Sequence, residues 1–181
     1  EGTDDFVTFG NVLNDDTSFT VATWVRADST AGTFPTLVAK SGNATDFDLL
    51  INSSTSKYAF YLTTAAGNKN VSSTTSVDTS GWQHVAATWN KPAGELKIYV
   101  NGALENTTTG VTGARATNGN NFCLGKSCHW SNRFFNGRLD DVRLYTRDLS
   151  DAEVQALYGE PQAWSIPSAV SYWGGRISSR S

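Results

Sequence analysis

Phe135-Asn-Gly-Arg-Leu-Asp-Asp-Val-Arg-Leu-Tyr-Thr-Arg-Asp-Leu-Ser-Asp-Ala-Glu-Val-Gln-Ala-Leu-Tyr158 is the stretch whose reading decides the fold. It divides into a glycine turn, a strand, a short connector and one capped helix. Ser150 and Glu153 form a capping box, in which each side chain satisfies an orphan amide of the first helical turn. Leu149 and Val154 stand where a hydrophobic staple would close, and Val154, Ala156 and Leu157 supply an apolar patch. Gly159 and then Pro161 end the helix. A last strand followed by one short helix, in a chain otherwise built of short strands, predicts an all-β fold with a single helix at its C-terminal end.

The strands upstream can be read by their period of two. Val21, Thr23 and Val25 share one face while Ala22 and Trp24 share the other, and both faces are suited to a central strand. Phe47, Leu49 and Ile51 alternate against Asp46, Asp48 and Leu50. Tyr58, Phe60 and Leu62 alternate against Ala59 and Tyr61. Val85, Ala87 and Trp89 oppose His84, Ala86 and Thr88, and Leu96, Ile98 and Val100 oppose Lys97 and Tyr99. Asn101-Gly102 then gives a tight hairpin turn. Turn signals recur every 8 to 12 residues or so, the spacing of a sandwich or jelly roll. The 181 residues fit one such domain, a class that runs to roughly 200 residues as one unit.

Composition narrows the partners. Only 17% of residues are charged and the net charge is -3, which offers no electrostatic attraction to nucleic acid or to an anionic membrane. No segment approaches the roughly 20 apolar residues of a membrane helix, and none reads as a signal peptide. Two cysteines, Cys123 and Cys128, are separated by Leu-Gly-Lys-Ser. A disulfide is the better reading than two free thiols, and zinc is disfavoured because His129 is the one histidine nearby. A disulfide implies an oxidising or extracellular setting.

Four ordered motifs resemble the laminin-G-like, concanavalin-A-like lectin and glucanase jelly rolls. They are Gly2-Thr-Asp-Asp-Phe-Val7, Ser18-Phe-Thr-Val-Ala-Thr-Trp-Val25, the pair Gly81-Trp-Gln-His-Val-Ala-Ala-Thr-Trp89 and Leu96-Lys-Ile-Tyr-Val-Asn-Gly102, and the closing stretch above. The resemblance implies a two-sheet antiparallel jelly-roll sandwich over residues 1–159, followed by an extension over 160–181. The start at Glu1 falls inside the first strand of that pattern and reads as a processed or truncated start.

The resemblance raises three possibilities for a site. Glucanases of the family carry closely spaced carboxylates on one strand, and Asp46 and Asp48 share a strand face at near glycosidase separations. The third acid of that pattern is absent, since position 50 is Leu50 and position 52 is Asn52, so the expectation is no enzymatic activity. Related jelly rolls hold a structural calcium near the chain ends, which nominates Glu1, Asp5 and Asp140 as oxygen ligands. Counting by two from Val142 and Leu144 turns Asp140 inward, where its carboxylate needs a cation, hydrogen bonds or a wet edge; backbone amides, Arg138 or Arg143 are the alternatives.

Carbohydrate binding needs an aromatic platform and groups that fix hydroxyls. Six tryptophans are present; Trp24, Trp82 and Trp89 read as core. Trp130 lies in the polar loop His129-Trp-Ser-Asn-Arg133, so His129, Trp130, Asn132 and Arg133 form either a glycan site or a loop anchor. Tyr61 and Tyr99 point away from their core-facing neighbours and either line a concave sheet face or merely cover it. Asp46, Asn68 and Arg115 are edge candidates of lower value. The expected function is a non-catalytic, extracellular glycan-binding module. The rival is a structural protein of a virion or surface assembly. Its contact with a neighbouring subunit would be the arm 161–181, which carries Trp164, Ile166, Val170, Tyr172, Trp173 and Ile177.

Overall fold

The computed structural model describes residues 5–41, 45–116 and 119–160. Glu1 and the extension 161–181 therefore lie outside the described residues. Among the described residues eleven strands and one helix follow in order: β1 Val7–Phe9, β2 Phe19–Ala27, β3 Thr36–Ser41, β4 Thr45–Asn52, β5 Lys57–Thr64, β6 Gly67–Ser76, β7 Gln83–Asn90, β8 Glu95–Val100, β9 Ala103–Thr108, β10 Phe122–Leu124, β11 Gly137–Tyr145 and α1 Asp151–Gly159. One antiparallel sheet runs β1-β10-β3-β4-β5-β6 and the other β11-β2-β7-β8-β9. The architecture is the expected all-β two-sheet sandwich with one short C-terminal helix.

Alternation builds the core as the period predicts. Phe19, Val21, Val25, Phe47, Leu49, Ile51, Tyr58, Phe60, Leu62, Val85, Ala87, Trp89, Leu96, Ile98 and Val100 all bury between the sheets. Each of the valines, leucines, isoleucines and phenylalanines so removed from water contributes about 1.5–3 kcal/mol. A second, smaller cluster of Ala22, Ala86, Tyr99, Leu149 and Val154 lies on the outer face of the five-stranded sheet, where α1 docks. The connector is pinned by Thr20, whose hydroxyl donates to the Arg147 carbonyl and accepts from the Leu149 amide, each at 2.9 Å.

The capping box is present: the Ser150 hydroxyl accepts from the Glu153 amide and the Glu153 carboxylate accepts from the Ser150 amide. The helix ends one residue later than expected. Gly159 is its last residue and Glu160 is extended, with φ −68° and ψ 137°. The residue before a proline is sterically barred from the helical region, so Pro161 rather than a glycine cap sets this end. Asn101 and Gly102 both have positive φ, and a β-carbon on Gly102 would lie 2.9 Å from that of Tyr158. The hairpin turn thus doubles as the seat of the helix.

One expectation of side-chain direction, that of Asp140, is overturned, and one candidate contact, Tyr99, keeps its outward direction but is covered. Asp140 pairs with Trp24, and the register slips between Asp140 and Arg143. Asp141, with φ +49°, is the bulge residue. Leu139, Val142 and Leu144 all pack on the core, so Asp140 faces outward with Trp24. A bulge inserts one residue, and counting by two across it inverts the face. Tyr99 is fully buried beneath α1, and its hydroxyl donates to Asp151 at 2.9 Å. It belongs to the opposite sheet from Tyr61 and lines no shared surface with it. Among the tryptophans, Trp89 is core, Trp24 stacks on Tyr158 at 5.6 Å outside the sandwich, and Trp82 is half-buried.

Candidate glycan-contact loop

The segment between β10 and β11 crosses the outer face of the six-stranded sheet. Cys123 and Cys128 close its first turn as a disulfide, with Cα atoms 5.8 Å apart. Backbone bonds hold both ends: Gly125 donates to Leu37 at 2.9 Å, and Phe135 donates to Gly125 at 2.8 Å. Within the loop, Ser127 donates its amide to Arg133, and the Ser127 hydroxyl accepts from the amides of His129 and Trp130. The Ser127 side chain also meets Ser41 at 3.3 Å. The tip of this loop is therefore fixed by covalent and hydrogen-bonded restraints.

On that tip Trp130 is 44% exposed. His129 packs edge-on against its ring at 4.6 Å. Arg133 lies with its guanidinium carbon 4.7 Å from the Trp130 ring and 5.1 Å from the Phe34 ring. Arg133 also pairs with Asp48, Nη1 to Oδ2, at 3.6 Å. Asp48 stands on β4 in a cross-strand row with Ala39 on β3 and Tyr61 on β5. Trp130, His129 and Arg133 are thus brought together, with Tyr61 one strand beyond Asp48, half-buried. Asn132 is exposed on the same loop.

Burial sets the electrostatics. Removal from water pushes the Asp48 carboxyl up to about 7, against the pull of Arg133. Asp46 is raised to about 6, again by burial first, with Arg115 and Lys40 opposing. Asp46 belongs to another network: Arg115 lies 3.4 Å and Lys40 3.7 Å from its Oδ2. Lys40 donates to the Leu13 carbonyl and to Asn14, while Arg115 donates to the carbonyls of Leu13 and Asp15. That cluster ties the segment 13–16 to the sheet and leaves neither Asp46 nor Arg115 facing a ligand. The two aspartates are each covered by cations, which does not match a glycosidase pair flanking an open cleft. Asn68 lies exposed on β6.

Of the candidate calcium ligands, Asp5 and Asp140 fall within the described residues. Glu1 is outside the described residues, and the Asp140 carboxylate accepts from the Asp141 amide at 2.8 Å on the Trp24 face. Among the described residues, no three His, Cys, Asp or Glu side chains stand together to hold a metal ion. Sequence reasoning missed Phe34, which flattens one side of Arg133, and the pairing of Arg133 with Asp48. These contacts join residues about a hundred or about eighty positions apart, and no local pattern announces them.

Comparisons agree with this architecture. A family model described as the concanavalin A-like lectin/glucanases superfamily matches residues 1–155. A curated relative, the rat (Rattus norvegicus) Sushi, von Willebrand factor type A, EGF and pentraxin domain-containing protein 1, is 26% identical over 161 residues. That match covers 84% of the chain but 4% of the relative. The CBM40 of the Ruminococcus gnavus IT-sialidase, solved bound to α2,3 sialyllactose, superposes with a TM-score of 0.67 at 19% identity, over 86% of this chain and 97% of that one. The SAP-like pentraxin of Limulus polyphemus gives a TM-score of 0.61 at 17% identity, over 84% and 81%.

Proposed function

The chain belongs to the concanavalin A-like lectin/glucanases superfamily, and we propose that it acts as a non-catalytic carbohydrate-binding module whose site is the Cys123–Arg133 loop. One observation carries this reading. Trp130 projects a partly exposed indole from a loop whose backbone is fixed, with Arg133 and His129 against it. A rigid aromatic platform accepts a sugar face at little entropic cost, and the neighbouring polar groups fix hydroxyls. In this reading Arg133 and His129 sit at the edge of the sugar ring, and Asn132 and Tyr61 contact its outer hydroxyls. The fold neighbour solved with sialyllactose makes sialylated glycans the first ligands to try. The disulfide suits a secreted or surface-exposed module.

A glycan array on the purified chain, with Trp130→Ala alongside, tests the proposal. Binding is expected in the parent and at least about 30-fold weaker in the variant, the loss typical of a buried aromatic anchor. Circular dichroism and thermal melting should be unchanged, because Trp130 is not part of either core cluster. A blank array on folded protein, or full binding by the variant, would refute it.

A further inference from the structure

We propose that Arg133 is shared between Asp48 and an acidic sugar, so that binding of a carboxylated glycan is coupled to the uptake of one proton by Asp48. The inference rests on the carbohydrate-binding reading above and concerns how the same loop is regulated.

The geometry is that of a loose, buried pair. Asp48 is 2% exposed, while the Arg133 side chain keeps 19% of its surface in contact with solvent. At 3.6 Å their closest atoms are beyond hydrogen-bonding distance. Asp48 Oδ1 and Arg133 Nε are both buried with no hydrogen-bond partner among the described residues. A buried carboxylate gains full compensation when hydrogen bonds accompany the counter-charge; here they do not. A ligand carboxylate arriving from the solvent side can instead take two charge-assisted bonds from the guanidinium, in the fork geometry that suits it. The guanidinium carbon lies within 4.7 Å of the Trp130 ring and 5.1 Å of the Phe34 ring, contacts that do not depend on which carboxylate it meets.

Once Arg133 turns to the ligand, Asp48 is left buried without a cation. The other charges near it do not replace Arg133. Asp46, on the same strand, adds repulsion and is itself engaged by Arg115 and Lys40. The cross-strand neighbours are Ala39 and Tyr61, neither of which is a cation. His129 is on the loop, exposed, and packed on Trp130. An uncompensated buried carboxylate takes up a proton. The proton comes from solvent and no covalent bond in the ligand changes. Burial already holds the Asp48 carboxyl near neutral pH, so the exchange falls in an accessible range.

Linkage then gives the pH dependence. Affinity for an acidic glycan is flat while Asp48 is already protonated and weakens as pH rises past the free protein's titration, by up to about tenfold per pH unit. The experiment measures Kd for α2,3- and α2,6-sialyllactose, with lactose as the neutral control, across about pH 5.5 to 8.5. The parent, Asp48→Asn and His129→Gln are compared. Calorimetry in two buffers of different ionisation enthalpy counts protons. We expect at least a fivefold weakening for the acidic ligands across that range, proton uptake on binding, and no slope for lactose. Asp48→Asn should be flat at the parent's low-pH affinity, and His129→Gln should keep the slope. A flat parent, a slope retained in Asp48→Asn, or a slope lost in His129→Gln would overturn the coupling. Glycan binding that needs Trp130 but shows no slope would overturn it while leaving the carbohydrate-binding reading intact. Absence of all binding would overturn both.

Discussion

Replacing Asp48 by asparagine should shift stability in the variant's favour as pH rises. The carboxyl is raised from 3.8 to about 7, first by burial. The folded state therefore binds a proton that the unfolded chain has already released, throughout that interval. Stability from this group falls as pH climbs from about 4 to about 7 and is constant above. Asparagine has the same shape and does not titrate. Comparing the two proteins at about pH 5 and about pH 8 cancels the pH-independent cost of exchanging an oxygen for an amide. Asp46 is present in both proteins, and only its repulsion with Asp48 differs between them. At about 1.36 kcal/mol per tenfold step, the advantage of the variant should grow by about 2–3 kcal/mol between the two pH values. Urea denaturation followed by tryptophan fluorescence, disulfide intact, measures it. A difference that is constant within about 0.5 kcal/mol, or that shrinks toward pH 8, would show that the Arg133 pair outweighs desolvation.

Other parts of the framework give simpler tests. Ser150→Ala removes one half of the capping box and should cost about 1 kcal/mol in chemical denaturation. Gly102→Ala forces a side chain into a left-handed backbone and onto Tyr158, and should cost about 1–3 kcal/mol in the same assay. Replacing Cys123 and Cys128 together by serine should lose about 2 kcal/mol, the value for so short a loop; glycan affinity measured on the same protein should fall as the Trp130 platform loosens. Because Asp140 is turned to the Trp24 face, EDTA should leave the melting temperature unchanged. A fall of several degrees restored by calcium would refute this and support a structural metal.

Most of the fold was legible because sandwich strands advertise themselves twice. Phe47, Leu49 and Ile51 alternate cleanly against Asp46 and Asp48, and their cross-strand partners Leu62, Phe60 and Tyr58 repeat the pattern. The helix was legible from Ser150, Glu153, Leu149 and Val154, since caps and staples are local chemistry. Alternation fails at Asp140, where the count by two runs across a bulge. Asp141 adopts a positive φ, and an aspartate tolerates that conformation better than most residues do. Nothing in Leu139-Asp-Asp-Val142 marks which aspartate will bulge, so the face of Asp140 was open to inversion. Tyr99 failed for another reason. Pointing away from the core states the face but not what covers it, and α1 covers the outer face at Tyr99.

The site was legible in part for the same physical reasons. His129, Trp130, Asn132 and Arg133 were readable together because a polar loop rarely spends a tryptophan without a contact to make. What the sequence could not display is the tertiary cost underneath it. Asp48 looked like one member of a carboxylate pair with Asp46, equal by spacing and face. Folding separates their roles: Lys40 and Arg115 commit Asp46 to holding the segment 13–16, whereas a single cation, itself part of the exposed loop, answers Asp48. A buried acid whose counter-charge remains within reach of solvent is coupled to whatever that counter-charge meets. The same residue that argued weakly for hydrolysis thereby becomes the reason to measure protons in a binding experiment.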